Sequence, residues 1–178
     1  MLDGPAAGGA TLFCNQAVTY KRLSPEFRKR LHGLKVVHSA VEQADNRKNR
    51  GGIVRRDAVT SYHPLVRTHP ATGEKALFVN PQFSRRIVGS KKEESEFLLN
   101  FLQDHIAKGQ DFRARVKWAP GTVVVWDNRV TAHSALLDWD GGARMHLARI
   151  TPQAEAPFET SLETSLEKND GAVIGFEY

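Results

Sequence analysis

The chain has one cysteine among 178 residues, Cys14, so it cannot form an internal disulfide and its redox chemistry fits a reducing, cytoplasmic compartment. Cys14 reads as a small buried hydrophobe rather than a reactive thiol. No apolar run approaches the ~18 residues of a membrane span, so no membrane partner is expected. The opening stretch, MLDGPAAGGATLF, has neither the basic nor the apolar region of a secretory signal. Zinc-finger and RNP patterns are missing, as are His-Glu-x-x-His, a cysteine pair for zinc, a phosphate-binding glycine loop and Gly-x-Ser-x-Gly. The net charge of +5 concentrates only in DNRKNRGGIVRRD, where Arg47, Lys48, Arg50, Arg55 and Arg56 cluster. No aromatic residue interrupts that cluster to stack on bases, so the expected partner is a small anion and not a nucleic acid.

What is present is an ordinary globular composition, 40% hydrophobic and 25% charged, in a chain long enough for one domain with its own core. ATLFCN reads as a short strand. Ser24 is an N-cap and Pro25 a first helical residue, with Phe27, Leu31 and Leu34 on one face. Residues 43–60 read as a long loop, and HPLVRTHPATGEKALFV as a hairpin around Thr72-Gly73. Ser90-Lys91-Lys92-Glu93 has the form of a capping box before a helix striped by Phe97, Leu98, Phe101, Leu102 and Ile106, which Gly109 can stop. RVKW and TVVVWD around Pro120-Gly121 suggest another hairpin, with the apolar run Val123–Trp126 buried. RMHLARIT reads as the last strand, and the polar end as a weakly ordered tail. The expected fold is an α+β domain, mainly β, as a sandwich or barrel.

Chemistry has to be sought among seven histidines: His32, His38, His63, His69, His105, His133 and His146. A non-haem Fe(II) centre takes two histidines and one carboxylate on one face, usually with a His-x-Asp or His-x-Glu pair on a strand. None of the seven has a carboxylate two residues later. His133, just past an apolar strand, is the best-placed candidate. Arg144 and Arg149 follow it at an odd spacing, which in a regular strand points them to opposite faces.

WDNRVTAH, HPLVRTHPATGEKALFVN, GGATLF and RLHGLKVVHS resemble, in spacing, motifs of the taurine dioxygenase (TauD/TfdA) family, and most closely its fungal sulfonate and taurine dioxygenase branch. The resemblance covers about residues 8 to 156 of a single domain spanning 1–178, with 157–178 as the tail. It implies a double-stranded β-helix, or jelly roll, with flanking helices. It also implies an oxidoreductase that uses Fe(II) and 2-oxoglutarate to hydroxylate a small sulfonate or carboxylate. Under it His133 is an iron ligand, Thr11 and Arg144 bind 2-oxoglutarate, and Arg149 meets the substrate's acid group.

The sequence departs from the family at three points. Ala10 replaces the usual aspartate before Thr11. Aligned back from Arg149, the 2-oxoglutarate arginine position falls on Met145; aligned forward from His133 it falls on Arg144, which a strand bulge would permit. The family's His-x-Asp pair lies upstream of the glycine-threonine motif, where only seven residues precede Gly8. The expectation is therefore an incomplete jelly roll of impaired activity, with a non-catalytic binding or assembly module as the alternative. An incomplete sheet also implies association through its exposed edge, as a homo-oligomer.

Overall fold

The computed structural model describes residues 1–5, 7–54, 56–139 and 144–161. Its strands are β1 (Thr11–Asn15), β2 (Lys35–Ser39), β3 (Thr60–Pro64), β4 (Val66–Thr68), β5 (Lys75–Leu77), β6 (Ser84–Ile87), β7 (Arg113–Val116) and β8 (Thr131–Ala135). Its helices are α1 (Gln16–Lys21), α2 (Pro25–Leu31), α3 (Val41–Asn49) and α4 (Lys92–Lys108). The strands pair antiparallel in three small sheets, ordered β7-β1-β8, β3-β2-β6 and β4-β5.

Local chemistry explains the firm boundaries. Asn15 ends β1 and starts α1, its side-chain oxygen accepting from the amides of Ala17 and Val18 at 3.0 and 3.1 Å. Ser24 caps α2 through the Phe27 amide at 3.3 Å, with Pro25 at the first helical position. Gly73, at φ +73, closes the β4–β5 hairpin, where its amide reaches the His69 carbonyl at 2.8 Å. Leu31, Val36, Leu65, Val66, Leu77, Ile87, Leu99 and Leu102 form the core between the β2 and β4 sheets and α4. Cys14, on β1, is buried as expected, and burial pushes its thiol pKa up.

Five expectations need correction. α3, Val41–Asn49, takes up the start of the stretch 43–60 read as loop. That helix buries no side chain, so its charged sequence has no apolar period to reveal it. The cap of α4 lies one residue later than read: Lys91 is the N-cap, and its amide donates to the Glu94 carboxylate at 2.9 Å. The apolar stripe of α4 holds only in part: Leu98, Leu102 and Ile106 face the core as read, together with Ser95 and Leu99, but Phe97 is 76% exposed. Neither 122–127 nor 144–151 is a strand, because neither finds a partner for a ladder; the latter makes only a bridge from His146 to Asp3. Val123 and Val125 are consequently 84% and 90% exposed, not buried.

The expected tail begins later than residue 157. The Thr68 amide donates to the Phe158 carbonyl at 2.8 Å, the Gly33 amide to Glu159 at 3.1 Å, and the Lys75 ammonium to Thr160 Oγ1 at 2.8 Å. The rest of that tail, 162–178, lies outside the described residues, as does Arg55 of the basic cluster. No described helix is long and apolar enough to cross a membrane.

Candidate active site

The β7-β1-β8 sheet positions the first candidate residues. Phe13 pairs with His133, and Thr11 with Ala135, two residues along each strand. Side chains alternate along strands, so Thr11, Phe13 and His133 share one face of this sheet. The His133 ring stacks on Phe13 at 6.0 Å and 27°, and lies 5.3 Å from Trp126, whose ring is 5.1 Å from Phe13. The residue as a whole is exposed, but its ring sides are covered by these two aromatics. That partial desolvation, and then the charge of Arg149, lower its pKa below the ordinary histidine value. His133 is therefore a neutral imidazole at pH 7, and no hydrogen bond occupies either ring nitrogen among the described residues.

Thr11 is buried, and its hydroxyl oxygen accepts from Trp118 Nε1 at 2.9 Å. The hydroxyl proton remains able to donate, which suits a carboxylate ligand. The two glycines before it are required by space. Gly8, at φ +81, would place a Cβ 2.3 Å from the Asp138 carbonyl oxygen, and Gly9, at φ +65, would place one 3.2 Å from Met145 Sδ. The Gly9 amide in turn donates to Asp138 Oδ1 at 2.7 Å. Ala10, where the family usually has aspartate, is buried, and its carbonyl accepts from the Leu136 amide at 2.9 Å.

The arginine segment is less built. Met145 packs its sulfur against Gly9, beside the Thr11 motif. Arg144 is exposed, and its guanidinium donates to His146 Nδ1 at 3.3 Å. Arg149 is also exposed, close enough to His133 for its charge to be felt there. Strand alternation does not govern Arg144 and Arg149, because residues 144–151 form no strand. The structure thus brings Thr11 and His133 onto one face with Arg149 nearby, and sets Met145 rather than Arg144 against the glycine loop.

Sequence reasoning missed an ionic network centred on Asp127 and Arg129, just before β8. Arg129 donates through Nε and a terminal nitrogen to the Asp127 carboxylate at 2.9, 3.1 and 2.6 Å, and its backbone amide adds a bond at 2.9 Å. His69 Nε2 lies 2.9 Å from the same carboxylate. The Thr72 amide donates to His69 Nδ1 at 3.1 Å, which leaves Nε2 as the protonated nitrogen. Arg129, opposed by desolvation and seconded by His69, holds the Asp127 carboxyl far below the usual carboxylate range. Glu155 accepts from buried Arg67 at 2.9 Å and lies 3.6 Å from Arg129. WDNR and VRTH contain these residues apart from Glu155, but only the fold shows that partners 58 and 88 positions apart meet. No group of three or more histidine, cysteine or acidic side chains is placed to hold a metal ion among the described residues.

Comparison with known proteins identifies the family. Residues 1–151 match the family described as taurine catabolism dioxygenase TauD, TfdA family. An alpha-ketoglutarate-dependent sulfonate dioxygenase of Saccharomyces cerevisiae is 48% identical over 159 residues, which is 89% of this chain and 39% of that protein. An alpha-ketoglutarate-dependent dioxygenase of Penicillium expansum is 46% identical over 177 residues, covering 96% of this chain and 48% of its own length. The crystal structure of a taurine dioxygenase from Burkholderia xenovorans superposes with a TM-score of 0.65 at 39% identity, over 77% of this chain and 44% of that one. The chain therefore spans about half or less of the relatives it matches. Its antiparallel sheets carry the TauD-type jelly-roll fold, and the chain belongs to the TauD/TfdA family of dioxygenases.

Proposed function

We propose that this chain carries one side of the active site of an Fe(II)- and 2-oxoglutarate-dependent dioxygenase whose substrate is a small sulfonate or related organic acid. In this reading His133 contributes one iron-binding imidazole, Thr11 and Arg144 hold the carboxylates of 2-oxoglutarate, and Arg149 faces the substrate's acid group. The observation that supports it most is the neutral His133 ring, free of hydrogen bonds, on the same sheet face as the Thr11 hydroxyl and near Arg149. The sulfonate assignment rests on the name of the yeast relative.

The described residues do not fit a complete iron centre. Such a centre takes two imidazoles and a carboxylate, and among the described residues no group of three or more histidine, cysteine or acidic side chains is placed to hold a metal ion. The 2-oxoglutarate site is also partial: Thr11 can donate, but Arg144 is turned to His146 and a thioether lies against Gly9. A thioether cannot replace a bidentate guanidinium clamp. Impaired turnover by the isolated chain is what this reading expects.

The same misfit favours a second reading, a non-catalytic jelly-roll module for binding or assembly. Oxygen consumption and succinate release with Fe(II), 2-oxoglutarate and a panel of sulfonates separate the two. Turnover that His133→Ala abolishes establishes the dioxygenase reading. No turnover, together with no Mn(II) binding sensitive to His133→Ala in a calorimetric titration, leaves the module.

A further inference from the structure

Arg149 lies on an arm with little structure of its own. His146 is bridged to Asp3 before it, and Phe158 to Thr160 are docked on β4 and Lys75 after it. Between these anchors, residues 147–154 make no backbone hydrogen bond among the described residues. The first side chain past the arm with a strong contact is Glu155. One carboxylate oxygen accepts from the Arg67 guanidinium at 2.9 Å, and the other lies 3.6 Å from Arg129.

Those two cations are fixed in different ways. Arg67 is 4% exposed, and its guanidinium lies over the Phe78 ring at 5.2 Å, so it is anchored in the core. Arg129 is locked to Asp127 in the turn that leads into β8, and the neighbouring Val130 carbonyl accepts from the Gln16 amide at 2.8 Å. One oxygen of Glu155 thus grips the core, while the other faces the turn from which the strand of His133 begins. A buried Arg67 requires a counter-charge in any case. It does not require that the same carboxylate reach Arg129.

We propose that Glu155 is a positioning residue: by bridging Arg67 and Arg129 it fixes where the 147–154 arm, and with it Arg149, lies relative to the β8 strand. This assignment of purpose rests on the role given to Arg149 above, but the geometry is measurable without any ligand. The rival is that Glu155 serves only as counter-ion to Arg67 and leaves the arm indifferent to Arg129.

The test is a spin-label distance measurement on the full chain, with one label on the arm at Ile150→Cys and one on α2 at Lys29→Cys. Both positions are exposed, and the native cysteine is buried. In the parent protein a narrow distance distribution is expected. Glu155→Gln should broaden it about twofold, as expected for a short flexible segment released at one end. Arg129→Gln, which leaves the Arg67 pair intact, should broaden it as well, and the double variant should add nothing to either. A second label pair, Lys29→Cys with Ser134→Cys on β8, should stay narrow in Glu155→Gln, which distinguishes release of the arm from general unfolding. Glu155→Gln broadening without any response to Arg129→Gln would overturn the bridge, as would no broadening in either variant. Should Glu155→Gln fail to fold, Arg129→Gln decides alone. Loss of the dioxygenase reading would instead appear as absent turnover with the distances behaving as stated.

Discussion

Asp127→Asn keeps the shape of the side chain and removes its charge, which isolates what the carboxylate does. In the native protein four donors converge on it: two nitrogens of the Arg129 guanidinium, the Arg129 amide and His69 Nε2. An asparagine oxygen can still accept from the backbone amide, but its NH2 then faces another donor. The Asp127 side chain is 36% exposed and its pair with Arg129 is screened by solvent, so that pair is counted as contributing little. Leaving the His69 N–H against a donor adds ~1 kcal/mol. That ~1 kcal/mol corresponds to a fall in Tm of ~2–4 °C for a domain of this size. The pH dependence fixes the sign. The folded pKa of Asp127 is depressed, so its contribution is complete above the unfolded carboxylate value of ~3.9 and is lost as pH falls below it. Thermal unfolding followed by circular dichroism at pH 7 should show the full difference, and the two proteins should converge in acid. A Tm change under about 1 °C at pH 7, or one that persists undiminished in acid, would refute the assignment of this carboxylate as the charged centre of the network.

Other sites give sharper local tests. Ser95→Ala removes the hydroxyl that accepts the buried Ile87 amide at 2.8 Å, and urea unfolding should report a loss of about 1–3 kcal/mol. Gly8→Ala and Gly33→Ala share the left-handed penalty of roughly 1–2 kcal/mol, but only Gly8 would drive a Cβ into the Asp138 carbonyl, so the first variant must be the less stable by equilibrium unfolding. Equal losses would show that the glycine loop is not packed against Asp138. Val125→Lys places a charge on a residue 90% exposed beside an unpaired extended segment, and light scattering should show less self-association than the parent chain if that apolar edge drives it.

The parts of the fold legible in the sequence are those set by neighbours a few positions apart. Ser24-Pro25 and Thr72-Gly73 act within a turn, so cap and turn chemistry predicts α2 and the β4–β5 hairpin. The face of α4 departs from its apolar count where Phe97 meets solvent and where Ser95, a polar residue, is turned inward to satisfy the Ile87 amide. The runs 122–127 and 144–151 have strand-like side chains, but a strand exists only where another chain segment supplies the ladder. The site divides in the same way. GGATLF and WDNRVTAH identify the family, whereas the register that sets Thr11 and His133 on one face, and the placing of Met145 sulfur against Gly9, arise from long-range pairing.

The seven histidines show how structure completes what composition leaves open. His32 is held between the Tyr20 hydroxyl and Glu159, each contact 2.6 Å. His63 bonds Ser61 at 2.8 Å, His69 serves Asp127 and Thr72, His105 meets the Thr19 carbonyl at 2.9 Å, and His146 takes a bond from Arg144. His38 keeps an unpartnered Nε2, but the atom is buried and burial lowers the pKa to about 4, so it titrates as a structural ring inside the fold. That leaves His133. It is neutral at pH 7 and exposed, with both ring nitrogens free of hydrogen bonds and its faces held by Phe13 and Trp126. A metal ligand needs an accessible lone pair on a ring held in orientation, since otherwise the entropy of fixing the ring is charged against binding. Each of the other six has at least one ring nitrogen engaged, whereas His133 has neither engaged among the described residues, an argument that uses the geometry of this chain and does not depend on its relatives.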